Sequence, residues 1–508
     1  MSHDIVIAGG GPNGLLLACE LSLAGVRPLV LERLPQPTTE NRANGLVGQV
    51  VRLLDHRGLH EELSGNPEPP RPVPQYVFGA FPLPLADLPA NPMCVLGVPQ
   101  TRVEEVLGRR AIELGVRILR GHELTGLTQD SDGVDVDVEG PDGPYRLRTR
   151  YLIGADGGRS RTRKLAGIEF PGVTRDDTVS RAAHVRVPAE LIDPATGGLT
   201  VPGHGVIPPF QHYRTEHGMM AYAPFPDRPT LLSTMEWGPV VDPDAPMTLT
   251  ELQESVSRVL GTGIALRAPE GPGSHLVRRR VGGNSRLAQR YRQDRVLLVG
   301  DAAHVHSAIG GPGLNLGMQD AVNLGWKLAA VVRGTAPEGL LDTYDTERRQ
   351  ASERVLMHTQ AQSALVQPGP AVTALRALFG EFLAEPENRS RIANMMAGTD
   401  IRYDMATGPH PLTGYFLPDV PLCTEEGDIR LAELARTGRP LLLDLAGDPA
   451  IADIAAGWRD RADLITAKAD VPAAAVLIRP DGYVAWAADT SRPDELRAAL
   501  TRWFGAEE

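Results

Sequence analysis

Two kinds of apolar pattern alternate along this chain. Ile5-Val6-Ile7-Ala8 is a short unbroken apolar run, which predicts a strand buried on both faces. Leu15, Leu16, Leu17, Ala18, Leu21 and Ala24 then recur at helical spacing, and Gly25 supplies a stop. Pro28–Leu31 is a second apolar run. Strand, helix and strand in that order predict the opening of a parallel, doubly wound sheet. Two later runs, Tyr151–Ile153 and Val296–Val299, read as further buried strands, the second leading to a helical pattern from about Leu314 to Val332. Between about Val173 and Arg280 the pattern changes to short alternating runs rich in Pro and Gly, such as "HGMMAYAPFPDRPTLLSTMEW", which predict antiparallel strands. "NPEPPRPVP" from Asn66 is a stiff, non-helical crossing. Residues 339–398 read mostly as helix, broken at "QPGPAV". After "HPLTGYFLPDVPL" come strands at Pro440–Leu445, Ala475–Ile478 and Tyr483–Trp486, a hairpin turn at Pro480-Asp481-Gly482, and a terminal helix over Glu495–Phe504. The fold class expected is α/β.

Glycines stand where the first strand meets the first helix. Gly9, Gly11 and Gly14 form G-x-G-x-x-G around Pro12 and Asn13, and Glu32 ends the second strand. That spacing suits a tight turn, close backbone approach to a pyrophosphate, and a carboxylate for a ribose hydroxyl. The motif alone does not choose between NAD and FAD. Two further strand ends bear on that choice. Asp156-Gly157 follow Tyr151–Ile153, and Gly300-Asp301 follow Val296–Val299. Gly310, Gly311 and Gly313 then precede the long helix, whose free amides can face an electron-rich ring edge.

Composition narrows the partners. The formal net charge of -12 disfavours nucleic acid. Cys19, Cys94 and Cys423 are far apart and make no metal or redox spacing, which fits a reducing cytoplasm. No apolar run is long enough to span a membrane, and Met1–Asp4 lead straight into a strand without a signal peptide. His304 and His306 are His-x-His without a carboxylate partner in sequence, so no metal is expected.

The three strand-end motifs, in this order and spacing, resemble the flavoprotein aromatic hydroxylases, single-component FAD monooxygenases. The resemblance covers roughly the first 350 residues and is carried by Gly9–Gly14 with Glu32, by Asp156-Gly157, by Gly300-Asp301 and by "GGPGLN". It implies FAD as cofactor and NADPH, rather than NADH, as co-substrate. It also implies a cycle in which reduced flavin and O2 form a C4a-hydroperoxide that hydroxylates an electron-rich ring. It places Arg33 and Arg42 beside the cofactor, Gln100 on the ribityl chain, Leu124 at the adenine end, and Pro312, Gly313, Leu314 and Asn315 at the ring. The family commonly has prolines where this chain has Ser307 and Ala308, which puts the local pocket shape in question. The absence of a second G-x-G-x-x-G after a strand argues against a separate nicotinamide domain.

The tail is similar to the thioredoxin-like C-terminal domain of the phenol and polyketide hydroxylase branch, without Cys-x-x-Cys, so thiol redox work is excluded there. The expected organisation is a discontinuous FAD-binding domain over 1–70, 95–172 and 281–400, a substrate-binding sheet domain over 71–94 and 173–280, and the C-terminal domain over 410–508. Phe210, His212, Tyr213, Met220, Tyr222 and Trp237 are the candidate substrate liners. The expected partners are an aromatic or polyketide-type small molecule and O2, with a homodimer possible. Baeyer–Villiger or epoxidising oxygen insertion, and a flavin-bearing antibiotic binder without turnover, are the alternatives. No residue is assigned as a catalytic base.

Overall fold

The computed structural model describes residues 2–225, 229–238, 242, 245–270 and 275–507. Its centre is a mixed 8-stranded sheet. The main path runs Arg292–Gln293, Val296–Leu298, Gly143–Gly154, Ser2–Ala8, Leu29–Glu32, Arg117–Arg120. From Val296–Leu298 to Arg117–Arg120 the neighbours are parallel. Val134–Gly140 and Glu123–Gln129 are antiparallel additions to the first half of Gly143–Gly154. The inner strands are apolar on both faces because both are covered, one by helices and the other by Leu124, Val134, Val136 and Val138 of the antiparallel strands. Pro12–Leu23 and Pro312–Arg333 pack together on the helix-covered face, closely enough that a Cβ on Gly325 would stand 2.5 Å from Glu20 Cβ.

Register sets the site. Ala8 lies opposite Leu31 and Gly154, and Gly154 lies opposite Leu298. The ends of the parallel strands are therefore level, and the turns that follow them emerge side by side.

A 6-stranded sheet covers that edge. Its order is His212–Arg214, Met219–Ala223, Thr230–Trp237, Gly172–Val185, Val277–Leu287, His304–Val305, all antiparallel. The "HGMMAYAPFPDRPTLLSTMEW" prediction holds for the two strands it contains; its residues 226–228 lie outside the described residues. Leu249–Leu260 packs on the outer face, around Leu252, Val256 and Val259.

Residues 342–397 form three helices, Asp342–Leu365, Pro370–Ala384 and Pro386–Ala397, with the break at Gly369-Pro370 as the sequence indicates. The C-terminal part is a 4-stranded sheet ordered Asp463–Thr466, Leu441–Asp444, Ala475–Ile478, Val484–Ala488, with Pro493–Phe504 against it. Trp326 of the long helix sits 6.4 Å from Trp503 and 6.1 Å from Phe504, ring centre to ring centre. Buried charge joins the same parts. Arg479 pairs with Glu347 at 2.7 Å and with Asp481 at 2.5 Å, and Lys327 reaches Glu347 at 2.7 Å. Asn323 donates to both Glu347 and Asp481, so every member has a partner.

Candidate functional site

The turns at the sheet edge and the covering sheet enclose one large cleft of about 1930 Å3. Gly9, Gly11, Pro12, Asn13, Glu32, Arg33, Arg42, Gln100, Leu124, Asp156, Gly157, Asp301, Gly313 and Leu314 all line it. Residues up to 305 positions apart in sequence thus meet around a single space (Gly9 to Leu314). Gly14, Gly300, Pro312 and Asn315 stand behind its wall and shape it from there.

The first turn is built for close approach. Gly9 has φ +116, and a Cβ there would lie 2.3 Å from the Ala155 carbonyl oxygen. A Cβ on Gly14 would lie 2.0 Å from the Gly9 carbonyl oxygen, whereas Gly11 has nothing within 4 Å and faces open space. Glu32 holds the turn: its carboxylate accepts from Gly10 N at 2.7 Å and from Leu34 N at 2.8 Å.

The two aspartates behave differently. Asp156 is used by its own loop: Ser160 Oγ donates to Oδ1 at 2.5 Å, and Thr162 donates to Oδ2 through N at 2.9 Å and Oγ1 at 3.0 Å. These bonds start the short helix Arg161–Leu165. Asp156 therefore acts first on local structure, which the motif did not reveal. Asp301 has no hydrogen-bond partner among the described residues, and it opens into the cleft. It is solvent-accessible yet ringed by protein, and the resulting loss of hydration raises its pKa above the usual carboxylate value.

Arg163 ties these turns together. It donates to Ala302 O at 2.7 Å and Gly158 O at 3.1 Å, and its guanidinium lies 3.8 Å over the Phe170 ring. Beneath them, Asp320 accepts from Gly300 N at 3.1 Å, pairs with His304 Nε2 at 2.8 Å and accepts from Arg348 Nε at 2.7 Å. Arg348 continues to Tyr403 Oη at 2.7 Å. The carboxylate partner of His304 that the sequence could not show is thus Asp320, one helix away. Among the described residues no cluster of His, Cys, Asp and Glu could hold a metal ion.

At the helix start, Gly311 has φ +69 and Pro312 takes the first helical position. Asn315 is a structural clamp: its Oδ1 accepts from Val47 N at 2.9 Å and its Nδ2 donates to Gly311 O at 2.6 Å. Gln100, expected at the ribityl chain, is fixed similarly: its Nε2 donates to Glu104 at 2.8 Å and its backbone N to Asn41 Oδ1 at 2.9 Å. Burial raises the Glu104 pKa. Arg42 is exposed at the rim, paired with Glu40 at 3.0 Å, and Glu40 also meets Arg278 at 3.1 Å. His306 donates from Nδ1 to Ser307 O at 2.9 Å, and burial lowers its pKa to about 4, so its ring is neutral.

The substrate-liner prediction needs correction. Phe210 and His212 line the cleft; Tyr213, Met220, Tyr222 and Trp237 do not. Strand alternation is the reason for Tyr213, Met220 and Tyr222, whereas Trp237 shares the face of Leu231 but lies at the far end of its strand. His212 pairs with Ala221 and shares its face toward the cleft, while Tyr213 pairs with Met220 on the other face. Met220 and Tyr222 are buried in the core under Leu249–Leu260, and the Tyr213 hydroxyl lies 3.0 Å from His204 Nδ1. Trp237 packs with Met219, Ile309 and Val366 beyond the cleft. The roof is instead made by small and apolar side chains, Ala221, Ala223, Phe225 and Leu231, facing Val47, Val73, Tyr76 and Val77. The alanines give no signal by size, only by parity along the strand. The parity was legible: Met220 and Tyr222 alternate with Ala221 and Ala223.

Comparison with known proteins comes from whole-chain matches. A family described as "FAD binding domain" matches residues 2–359, and one described as "Aromatic-ring hydroxylase, C-terminal" matches residues 410–507. The chain is 43% identical to a 12-dehydrotetracycline 5-monooxygenase/anhydrotetracycline 6-monooxygenase of Streptomyces rimosus subsp. rimosus, covering 99% of each. It is 38% identical to a dialkyldecalin synthase of Streptomyces rugosporus, again covering 99% of each. Among solved structures, the OxyS anhydrotetracycline hydroxylase from Streptomyces rimosus superposes with a TM-score of 0.86 at 40% identity over 100% of both chains.

Proposed function

This chain belongs to the FAD-dependent aromatic-ring hydroxylases, and from that premise we propose that it oxygenates a polycyclic phenolic substrate of polyketide type. It is an FAD-dependent monooxygenase of the kind that tailors antibiotics. The observation that carries the substrate reading is the size and lining of the cleft. Its volume of about 1930 Å3 is well beyond the roughly 300–1,000 Å3 of a single drug-sized pocket, so it suits a cofactor and a large guest together. The guest end has flat apolar walls, from Val47, Val73 and Val77 to Ala221 and Ala223.

The residues present fit FAD. Gly11 leaves an opening beside the first helix start, Asp301 presents a carboxylate with no hydrogen bond from the described residues, and Gly313 and Leu314 at the start of the long helix line the same cleft. In this reading Gly9–Gly14 and the start of Pro12–Leu23 bind the diphosphate, and Glu32 and Leu124 hold the adenosine end. Asp301 accepts from the ribityl chain. The helix-start amides at Gly313–Asn315 favour negative charge on the ring. Bound FAD supplies the activation of O2 for oxygen transfer. The protein positions the guest and excludes water, through Phe210, Phe225 and Leu231 over the opening.

NADPH is the proposed reductant: Arg33, Arg159, Arg161 and Lys164 crowd the rim with positive charge suited to a phosphorylated ribose. The proposed division of labour follows the sheets. The 8-stranded sheet carries the cofactor, the 6-stranded sheet covers the substrate, and the C-terminal part braces the cofactor side through Trp326, Glu347 and Arg57.

The test is turnover of anhydrotetracycline-like and hydroxynaphthoquinone substrates under labelled O2. One labelled oxygen atom in the product, with NADPH consumed, supports the reading. A product formed without label would place the chain with the relative that is named a synthase.

A further inference from the structure

The roof of the cleft carries an imidazole without a partner. His212 belongs to the edge strand His212–Arg214, lines the cleft, and makes no hydrogen bond among the described residues. Its surroundings on that face are apolar. Ala221 lies directly across the strand pair, with Ala223 and Leu231 beyond it. Phe210 and Phe225 meet edge to face at 5.4 Å beside it, and Phe210 is held at φ +59, a left-handed conformation unusual for an aromatic residue. Burial alone lowers the pKa of His212, so at neutral pH the ring offers one donor and one acceptor nitrogen.

Gln211, next to His212 in the lining, carries an amide that is no proton acceptor, and His306 keeps one ring nitrogen unengaged among the described residues; the remaining polar groups considered are engaged or distant. The Tyr76 hydroxyl donates to Gly310 O at 3.3 Å and is pushed up to about 12 by burial, so it does not serve as a base. His306 spends Nδ1 on Ser307 O. Arg278 and Arg280 stand on a strand separated from that of His212 by three others in the sheet order, roughly 19 Å at the usual strand spacing. Asp301, Arg42 and Glu40 belong to the turns of the opposite sheet, and Glu104 to the helix Gln100–Glu113.

We propose that His212 accepts the proton of a phenolic hydroxyl on the bound substrate, and that the cleft thereby selects phenols over their ethers. The inference rests on the monooxygenase reading above. In the step, the phenol O–H bond breaks and its proton joins the free ring-nitrogen lone pair, giving the imidazolium. The electron pair stays on oxygen and raises electron density at the ortho and para ring carbons. After oxygen transfer, the proton on the oxygenated carbon shifts to the carbonyl oxygen as the ring regains aromaticity. The proton held by His212 passes into the water that the monooxygenase reaction releases. A neutral acceptor in an apolar setting suits this task, because phenolate and imidazolium then stabilise each other as an ion pair.

The experiment uses FAD-loaded protein and 7-hydroxycoumarin, whose phenol and phenolate absorb at different wavelengths, with 7-methoxycoumarin as the ether. In the native protein, bound 7-hydroxycoumarin should titrate about one pH unit lower than in water, and it should bind about tenfold more tightly than the ether. His212→Ala and His212→Gln should abolish both effects while retaining flavin absorbance, and should slow hydroxylation of a phenolic substrate about a hundredfold. An unshifted probe in the native protein overturns the proposal. So does a shift that survives His212→Gln, or one lost only in His306→Gln. If instead the native protein retains no flavin, the monooxygenase reading is what fails.

Discussion

The amide of Asn13 occupies the space in which Gly300 would carry a side chain: a Cβ on Gly300 would lie 2.1 Å from Asn13 Nδ2. The same amide would meet a Cβ on Gly317 at 2.3 Å. One side chain from the first helix is thus wedged between the turn after Val296–Leu298 and the long helix.

Gly300→Ala should therefore cost stability and flavin together. The clash and the φ of +64 act at the same point. We expect a loss of about 2–4 kcal/mol in urea unfolding and flavin released at protein concentrations where the native form is yellow. Asn13→Ala in the Gly300→Ala background should restore part of the stability, since it removes the clash but leaves the backbone strain.

The contrast between Asp156 and Asp301 gives opposite expectations. Asp301→Ala should weaken FAD binding strongly with little change in the melting temperature of flavin-free protein. Asp156→Ala should lower that melting temperature, because Ser160 and Thr162 lose their acceptor, at about 1–2 kcal/mol. Paired FAD titration and calorimetry separate the two; equal behaviour would remove the distinction.

Acid should destabilise the protein well above the carboxylate range. Burial lowers the pKa of His56 to about 3 and those of His306 and His358 to about 4. A histidine whose folded pKa is depressed takes up its proton more readily when unfolded. Its contribution is complete above about 6.5 and is lost as pH falls from there toward the folded value. Each withdraws up to about 1.4 kcal/mol per pH unit in that window. Urea midpoints should fall between pH 7 and 4.5, and His358→Gln should flatten the slope; a midpoint constant over that range would contradict it.

Arg479 is fully buried between Glu347 and Asp481, and its loss would leave both acids without their main counter-charge. Arg479→Met should destabilise by about 3–5 kcal/mol. Adding Asp481→Asn should recover much of that, because Lys327 still balances Glu347, as measured by chemical unfolding.

Much of this organisation is legible in the sequence, and what escapes has a common cause. The turns at Gly9, Asp156 and Gly300 announce themselves because each follows a short apolar run, and parallel register makes them meet. The role of Asn315 escapes because its partner Val47 is fixed by tertiary placement, and that of Asp156 because its bonds to Ser160 and Thr162 depend on the fold of its own loop. Asp320 escapes as Asn315 does, lying inside a helix with no local signal of its contact to His304. The roof escapes differently: Met220 and Tyr222 stand out by size, yet period-two alternation sends them to the opposite face from Ala221. Reading residues 410–508 as a C-terminal domain likewise follows from the pattern of that segment alone, and the buried charges shared with Lys327 and Glu347 are invisible there.

Those shared charges bear on how this enzyme could be recombined with its relatives. Arg57 also crosses the boundary, donating to the Pro480 carbonyl at 2.7 Å while paired to Glu20. A chimera that grafts another tail onto this body inherits half of a lock. Unless the graft brings a guanidinium and an acid to the places of Arg479 and Asp481, Lys327 and Glu347 must face each other in a dry interior without the rest of their ring. Exchange of substrate preference between such enzymes is therefore easier through the roof strands around His212 and Ala221 than by swapping the end of the chain.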